Sequence, residues 1–301
     1  MDVAIGLVGC GRWGTNHHRT LATLRTEGRI HRLVVCDIDA SKTDGLEADA
    51  HYTSMEAMMA NEQLHGVAIV TPPETHLSLA QQAFENEAAV LMEKPLSENH
   101  EANQRFLSTV DGKVLVVGYI LRHHPGLQKV RSPEVRKALG NITSVRYLRR
   151  TQRARPEGST PVATLGVHGV DVIAWLLDRP LALATTRFSA RGPDESAATL
   201  SFSTGETGFF DVAWSAGEEV RIVEVEGDGG QARFDFGSGA LMLELNDGTT
   251  RDVSVSPSEP LRAEWQYFLE RCRSLNPTVF PSKQRLLDQS AWLDAHAHTE
   301  P

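Results

Sequence analysis

Val3-Ala4-Ile5-Gly6-Leu7-Val8-Gly9-Cys10-Gly11-Arg12-Trp13-Gly14 joins an uninterrupted apolar run to a G-x-G-x-x-G. An apolar run of this length without polar alternation is the pattern of a strand buried on both faces. From Trp13 to about Arg25 the residues read as a helix. Strand, glycine turn and helix in that order form the context of a dinucleotide fingerprint. Gly9 permits a tight turn, Gly11 lets the backbone approach a pyrophosphate, and Gly14 lets helix and strand pack closely. The N–H groups and dipole at the helix start, around Arg12 and Trp13, favour an anion. A plain glycine turn has the same residues, so the rest of the chain must decide between the two.

The strand–helix unit repeats through the first 118 residues. Apolar runs at His31–Cys36, Gly66–Val70, Ala89–Met92 and Val114–Gly118 alternate with helical stretches at Met55–Ala60, Thr75–Asn86 and Asn99–Val110. Repeated βα units argue for an open, mostly parallel, doubly wound sheet. The pattern changes near Tyr119. Pro125–Leu139 reads as helix with a break at Pro133. From Ile142 to Val255 the strands are long, alternate in polarity and are joined by hairpin-type turns such as Asn246-Asp247-Gly248. This predicts a large, mostly antiparallel sheet, interrupted by a helix at Leu165–Leu177 and followed by helices at Glu259–Ser274 and Ser282–Ala297. The chain is therefore α/β, with a doubly wound domain over 1–119 and an α+β domain over 120–301.

The 301 residues carry a formal charge of −9, which argues against a general nucleic-acid binder. No apolar run of about 18 residues predicts a membrane span, and nothing before the first strand reads as a secretory signal. Cys10, Cys36 and Cys272 are far apart and form no CxxC pair, which fits a reducing cytoplasm. The histidines show no metal-ligand spacing, so no metal is expected. Charge is unevenly spread: Arg122 to Arg155 holds ten Lys+Arg and one acid, Glu134. That bias is either a solvated face or a basic wall for an anionic substrate.

Asp37 ends the second strand at the offset of the acid that binds adenosine ribose hydroxyls, which favours NAD. A nearby Lys42 would accommodate a 2′-phosphate, so NADP stays open. Thr71-Pro72-Pro73-Glu74-Thr75-His76 and Glu93-Lys94-Pro95 end two further strands at the same sheet edge, where open α/β sheets bind ligands. A lysine ending a buried strand is costly and, beside an acid, can titrate and hydrogen-bond a substrate hydroxyl. A surface salt bridge is the plainer alternative. His168 and Asp171 share one face of an apolar helix, as a catalytic pair or as satisfied core polar groups.

Taken together, Gly9/Gly11/Gly14, Thr71-Pro72-Pro73 to His76, Glu93-Lys94-Pro95, Gly118 to Pro125 and His168-x-x-Asp171 resemble the Gfo/Idh/MocA oxidoreductases in order and spacing. The resemblance implies an N-terminal Rossmann domain and a C-terminal domain whose open sheet builds homodimers or homotetramers. It implies hydride transfer between nicotinamide and a sugar, nucleotide-sugar or polyol carbon, with Lys94 and His168 handling the proton. It implies a cofactor site at Gly9, Gly11, Arg12, Trp13, Gly14, Asp37, Thr71, Pro72, His76, Glu93 and Lys94. Tyr119, Arg122, His124, Asp171 and Thr164 would line the substrate pocket, and a cis peptide is expected between Lys94 and Pro95. The sequence departs at Thr164, where many members carry an aspartate, and this weighs against an inositol-type substrate. A dinucleotide-sensing regulator and a reductase of a non-sugar carbonyl are the alternative functions.

Overall fold

The computed structural model describes residues 3–274 and 276–297. In chain order the strands and α-helices are β1 (Ala4–Val8), α1 (Arg12–Thr26), β2 (Arg32–Cys36), β3 (Ala50–Tyr52), α2 (Met55–Asn61), β4 (Gly66–Ile69), α3 (Pro73–Glu85), β5 (Ala89–Glu93), α4 (His100–Thr109), β6 (Val114–Gly118), α5 (Pro125–Val130), α6 (Pro133–Leu139), β7 (Ile142–Arg150), α7 (Val167–Leu177), β8 (Ala184–Arg191), β9 (Glu195–Phe202), β10 (Thr207–Ala213), β11 (Val220–Gly227), β12 (Gly230–Asp235), β13 (Leu241–Leu245), β14 (Thr250–Val253), α8 (Pro260–Ser274), β15 (Thr278–Phe280) and α9 (Lys283–His296). They fall into two compact units. One holds residues up to Ile120 together with Pro260–Ser290; the other holds Leu121–Glu259 and the residues from Ala291 on.

The first unit is a parallel sheet of order β15-β6-β5-β4-β1-β2-β3. Its central strands are buried along their whole length, as unbroken apolar runs require. Strand order reverses at β1, so the loops after β1, β2, β4 and β5 gather at one edge of the sheet. Residues 260–290 were expected with the second domain. Instead Leu261, Trp265, Phe268, Leu269 and Cys272 complete the core of this unit, and β15 pairs with β6. The strands β3 and β15 were not anticipated, because three residues are too few to show a period.

The second unit is an eight-stranded sheet of order β14-β13-β12-β11-β7-β10-β9-β8, antiparallel except where β7 meets β10. One face packs α7: a Cβ on Gly169 would meet the Tyr147 ring at 2.9 Å, and one on Gly208 would meet Ile173 at 2.3 Å. Only glycine permits these close approaches. On the other face, register places Met242, Arg233, Glu224, Arg146 and Phe209 in one row across the strands. As expected, the helix after Pro125 breaks before Pro133, where Ser132 caps α6. The helix expected from Leu165 starts instead as a π turn over Val162–Gly166 before α7.

The polar heart of this unit is the pair Arg122–Asp171. The guanidinium donates from Nη2 to Oδ1 at 2.6 Å and from Nε to both carboxylate oxygens at 3.0 Å, and both residues are buried. The Trp175 ring lies 5.6 Å from the guanidinium carbon. Arg122→Met strands a buried carboxylate and should cost about 3–5 kcal/mol of stability in urea denaturation. The double change Arg122→Met/Asp171→Leu should recover most of that loss. A single variant as stable as wild type would sink this assignment.

Candidate active site and cofactor cradle

The glycine motif builds an open cradle. Gly9 has φ +91°, and its added Cβ would lie 2.5 Å from the Val70 carbonyl oxygen; Gly14's would lie 2.0 Å from that of Gly9. Both contacts exclude side chains: the first sets the turn against the end of β4, and the second presses α1 onto the end of β1. Gly11 is the opposite case, with nothing of the protein within 4 Å of an added Cβ. Helix α1 starts without a side-chain cap and with no acid in its first turn. Its first N–H groups therefore face the space above Gly11 and suit an anion.

Asp37 closes one side of the cradle. Its Oδ2 accepts from the Cys10 N–H at 2.7 Å and its Oδ1 from the Asp39 N–H at 3.0 Å. Each oxygen keeps a lone pair for a ribose hydroxyl. Lys42 Nζ stands 4.0 Å from Oδ1. Beside Asp37, Ile38 is exposed and borders a groove of about 650 Å³ walled by Met55, Met59 and Leu79, with Ser54 and Gln82 at its polar edges. A flat ring fits such a groove. The opening of the cradle, its N–H groups and the acid beside it all suit a dinucleotide.

Across the sheet edge, Glu93 joins α1 to β5. Its Oε1 accepts from Trp13 Nε1 at 2.6 Å and contacts His17 Nε2 at 3.1 Å, while Oε2 accepts from the Lys94 N–H at 3.2 Å. Trp265 Nε1 lies 3.2 Å from His17 Nδ1. An indole nitrogen only donates, so Nδ1 accepts and Nε2 carries the hydrogen given to Glu93. Burial alone would raise the Glu93 carboxyl; the His17 and Trp13 donors and the nearby Lys94 charge reverse this and hold it below its usual range. Burial pushes Lys94 below the usual lysine range, against the pull of Glu93. The Lys94–Pro95 peptide is cis, as expected. His76 is buried, with Nδ1 2.9 Å from the Pro95 carbonyl oxygen and Nε2 2.8 Å from that of Thr71, so it ties two loops together. Thr71 contacts the Thr75 hydroxyl at 2.7 Å, and Pro72 caps α3.

The residues expected in a substrate pocket have these partners and surroundings in the structure. Arg122 and Asp171 satisfy each other in the core. His124 caps α5 through its Nδ1, which accepts from the Gly126 N–H at 3.1 Å, and packs between Phe234 and Phe236. Burial and the Arg221 charge lower His124 to about 4. Tyr119 is buried. The Thr164 hydroxyl donates to the Thr160 carbonyl at 2.7 Å and accepts from Trp214 Nε1 at 3.0 Å. The basic segment is largely consumed: Lys129 pairs with Glu134, Arg146 with Glu224, Arg149 with Glu219, Arg150 with Asp211 and Arg155 with Asp194. Arg131 and Arg136 donate to carbonyls of α7. It is an ion-paired surface rather than a basic wall. His168, the second residue of α7, is half-buried, one helical turn after Thr164. Sequence reasoning missed His17 and Trp265, whose only local signal is the i, i+4 spacing of Trp13 and His17.

A parallel sheet that gathers a glycine cradle and an acid at its carboxyl edge defines a nucleotide-binding Rossmann unit. Residues 3–120 match the family profile described as "Oxidoreductase family, NAD-binding Rossmann fold". That profile is the one of the Gfo/Idh/MocA oxidoreductases, and its match covers residues 3–120, less than half of the chain. The chain is 27% identical over 200 residues to inositol 2-dehydrogenase 2 of Saccharopolyspora erythraea, covering 64% of this chain and 58% of that protein. It is 28% identical over 321 aligned positions to inositol 2-dehydrogenase 1 of the same organism, covering 100% of this chain and 88% of that protein. The chain thus spans about 58% of the length of the first of these relatives. Its fold matches UDP-N-acetylglucosamine 3-dehydrogenase GnnA from Acidithiobacillus ferrooxidans at a TM-score of 0.81 and 21% identity, covering 99% of this chain and 98% of that one.

Gly11→Ala should leave the thermal midpoint unchanged, because no protein atom meets the new methyl. It should weaken NAD binding about tenfold or more in calorimetry, because the methyl fills the cradle. Unaltered NAD affinity in a folded Gly11→Ala protein would refute the cradle.

Proposed function

We propose that the chain is an NAD(P)-dependent dehydrogenase or reductase acting on a CH–OH group of a sugar, nucleotide-sugar or polyol. The observation that carries this reading is Lys94, a lysine pushed by burial toward its neutral form and set beside the Glu93 network at the sheet edge of a dinucleotide cradle. A bound nicotinamide cofactor supplies the acceptor or donor of hydride. Asp37 favours a free ribose hydroxyl and hence NAD, while Lys42 leaves a 2′-phosphate tolerable. Gly9, Gly11 and Gly14 admit the pyrophosphate to the N–H groups at Arg12, Trp13 and Gly14.

Oxidation of an alcohol also releases a proton, and two side chains are assigned to it. Lys94 hydrogen-bonds the reacting oxygen and favours its alkoxide character. His168 takes the proton in oxidation and returns it in reduction, a role suited to an imidazole. The substrate class is taken as uncharged at the reacting ring, since the basic segment that suggested an anion is ion-paired. Relatives named as inositol and UDP-N-acetylglucosamine dehydrogenases support a polyol or sugar ring. Purified protein with NAD or NADP and a panel of such compounds should release reduced cofactor. Lys94→Ala and His168→Asn should each lower kcat by about 10²–10⁴-fold with NAD affinity kept. Turnover untouched by Lys94→Ala would exclude this chemistry, and cofactor binding without turnover on any ring would favour a dinucleotide sensor.

The row Met242, Arg233, Glu224, Arg146 and Phe209, with Leu148 and Ile222 in the next row, makes a mixed apolar and ion-paired sheet face. Such a face suits a second copy of itself. We assign it to a homo-oligomer contact. Light scattering should give a dimer or tetramer that Leu148→Glu/Phe209→Glu reduces to monomer; a monomeric wild type would overturn this.

A further inference from the structure

Three points fix the backbone that carries Lys94. Its own N–H donates to Glu93 Oε2 at 3.2 Å, and the Pro95 carbonyl oxygen lies 2.9 Å from His76 Nδ1. The third point is Ser97, buried with Leu96 just beyond the end of β5. There Ser97 meets Asn103, the fourth residue of α4. Asn103 is 0% exposed, a place where an amide without partners is disfavoured. Its Oδ1 accepts from the Ser97 hydroxyl at 2.6 Å, and its Nδ2 donates to the Ser97 carbonyl at 3.1 Å and to Ser290 Oγ at 2.7 Å. A carbonyl only accepts, so the atom facing it is the amide nitrogen, and both of its hydrogens are used.

Helix α4 does not need Asn103 for its own start. Asn99 already caps it, with Oδ1 accepting from the Ala102 N–H at 2.8 Å. The side chain at 103 serves the turn ahead of the helix instead. A single hydrogen bond would let that turn pivot. Two bonds between one amide and one residue, at its carbonyl and at its hydroxyl, fix direction as well as distance. The amide is itself held from behind: Ser290 of α9, in the same compact unit, also lies 3.1 Å from His100 Nδ1 through its Oγ. An aliphatic side chain at 103 would leave the Ser97 carbonyl and hydroxyl without these partners.

We propose that Asn103 is a positioning residue for Lys94: its paired bonds to Ser97 hold the turn from Lys94 to Ser97 in one conformation and so set where the amine stands at the sheet edge. Asn103 acts through the backbone and touches no reacting atom. With Pro95 held by His76 and Ser97 held by Asn103, Leu96 between them has no room to swing, and Lys94 keeps its place. A shift of about 1 Å in such a group can cost about 10²-fold in rate. The consequence for turnover rests on the proposed role of Lys94 in proton handling, whereas the hold on the turn is read without any turnover.

In cofactor-free protein, amide hydrogen exchange followed by peptide mass spectrometry reads the turn. Asn103→Leu should speed exchange in the peptide spanning residues 94–98 by about tenfold or more. Phe106→Leu weakens the stacking of Phe106 on Phe84 from the same helix and should leave that peptide unchanged. With NAD or NADP and the sugar or polyol of highest turnover in the panel above, Asn103→Leu should lower kcat by about tenfold or more, with KM and cofactor affinity kept within about twofold. Phe106→Leu should lower neither, whereas a merely structural role would move both variants alike. Ser97→Ala removes a single hydroxyl and carries the same test if Asn103→Leu does not fold, with an effect of about threefold in each readout. Unchanged exchange in the turn of a folded variant would overturn the proposal. So would a loosened turn with kcat kept while Lys94→Ala abolishes it. Turnover untouched by Lys94→Ala would instead refute the proton-handling reading alone, and the exchange rates would still decide whether Asn103 holds the turn.

Discussion

The contact between Gly14 and the Gly9 carbonyl fixes where α1 starts in the first unit. A side chain at 14 would lie 2.0 Å from that oxygen, so only glycine lets α1 start directly on the end of β1. That close start points the helix N–H groups over Gly11. It also lays Trp13 and His17 against the end of β5, where both reach Glu93. The anion cradle and the network beside Lys94 therefore follow from one packing constraint. Had the helix started farther away, the indole and imidazole could not share one carboxylate, and Glu93 would keep only the Lys94 backbone N–H as a donor.

The two units handle buried charge differently. In the second unit Arg122 and Asp171 neutralise each other with good geometry, and such a pair is costly to break. In the first unit Glu93 accepts from Trp13, His17 and a backbone N–H, and the lysine that follows it is held below its usual range by burial. Charge there is stabilised without being cancelled. Groups of that kind retain the capacity to titrate, which is the property proton handling needs.

Much of the first unit was legible in the sequence because its signals are local. The runs at Val3–Val8 and Val114–Gly118 are short, unbroken and bounded by glycine, and Gly9 to Gly14 fixes the order strand, turn, helix. The antiparallel sheet was legible from alternation and hairpin turns. The features that escaped were long-range. Nothing near Trp265 says that it will cap His17 from 248 residues away, and nothing near Arg122 says that its partner is Asp171. The basic composition of residues 122–155 was real, but composition does not record the cross-strand acids at 195, 211, 219 and 224 that absorb it. The same blindness placed residues 260–290 in the wrong unit, since β15 is defined by its partner β6 and not by its own three residues.

Position 164 shows how far a departure from a family pattern can be explained locally. A threonine hydroxyl both donates and accepts, and both capacities are used, toward the Thr160 carbonyl and from the Trp214 indole. An aspartate would keep the indole bond but set a carboxylate against a carbonyl oxygen, with no hydrogen between them. The π turn over Val162–Gly166 and the seat of Trp214 are therefore matched to threonine. The hydroxyl is therefore committed to the fold on both its donor and its acceptor side.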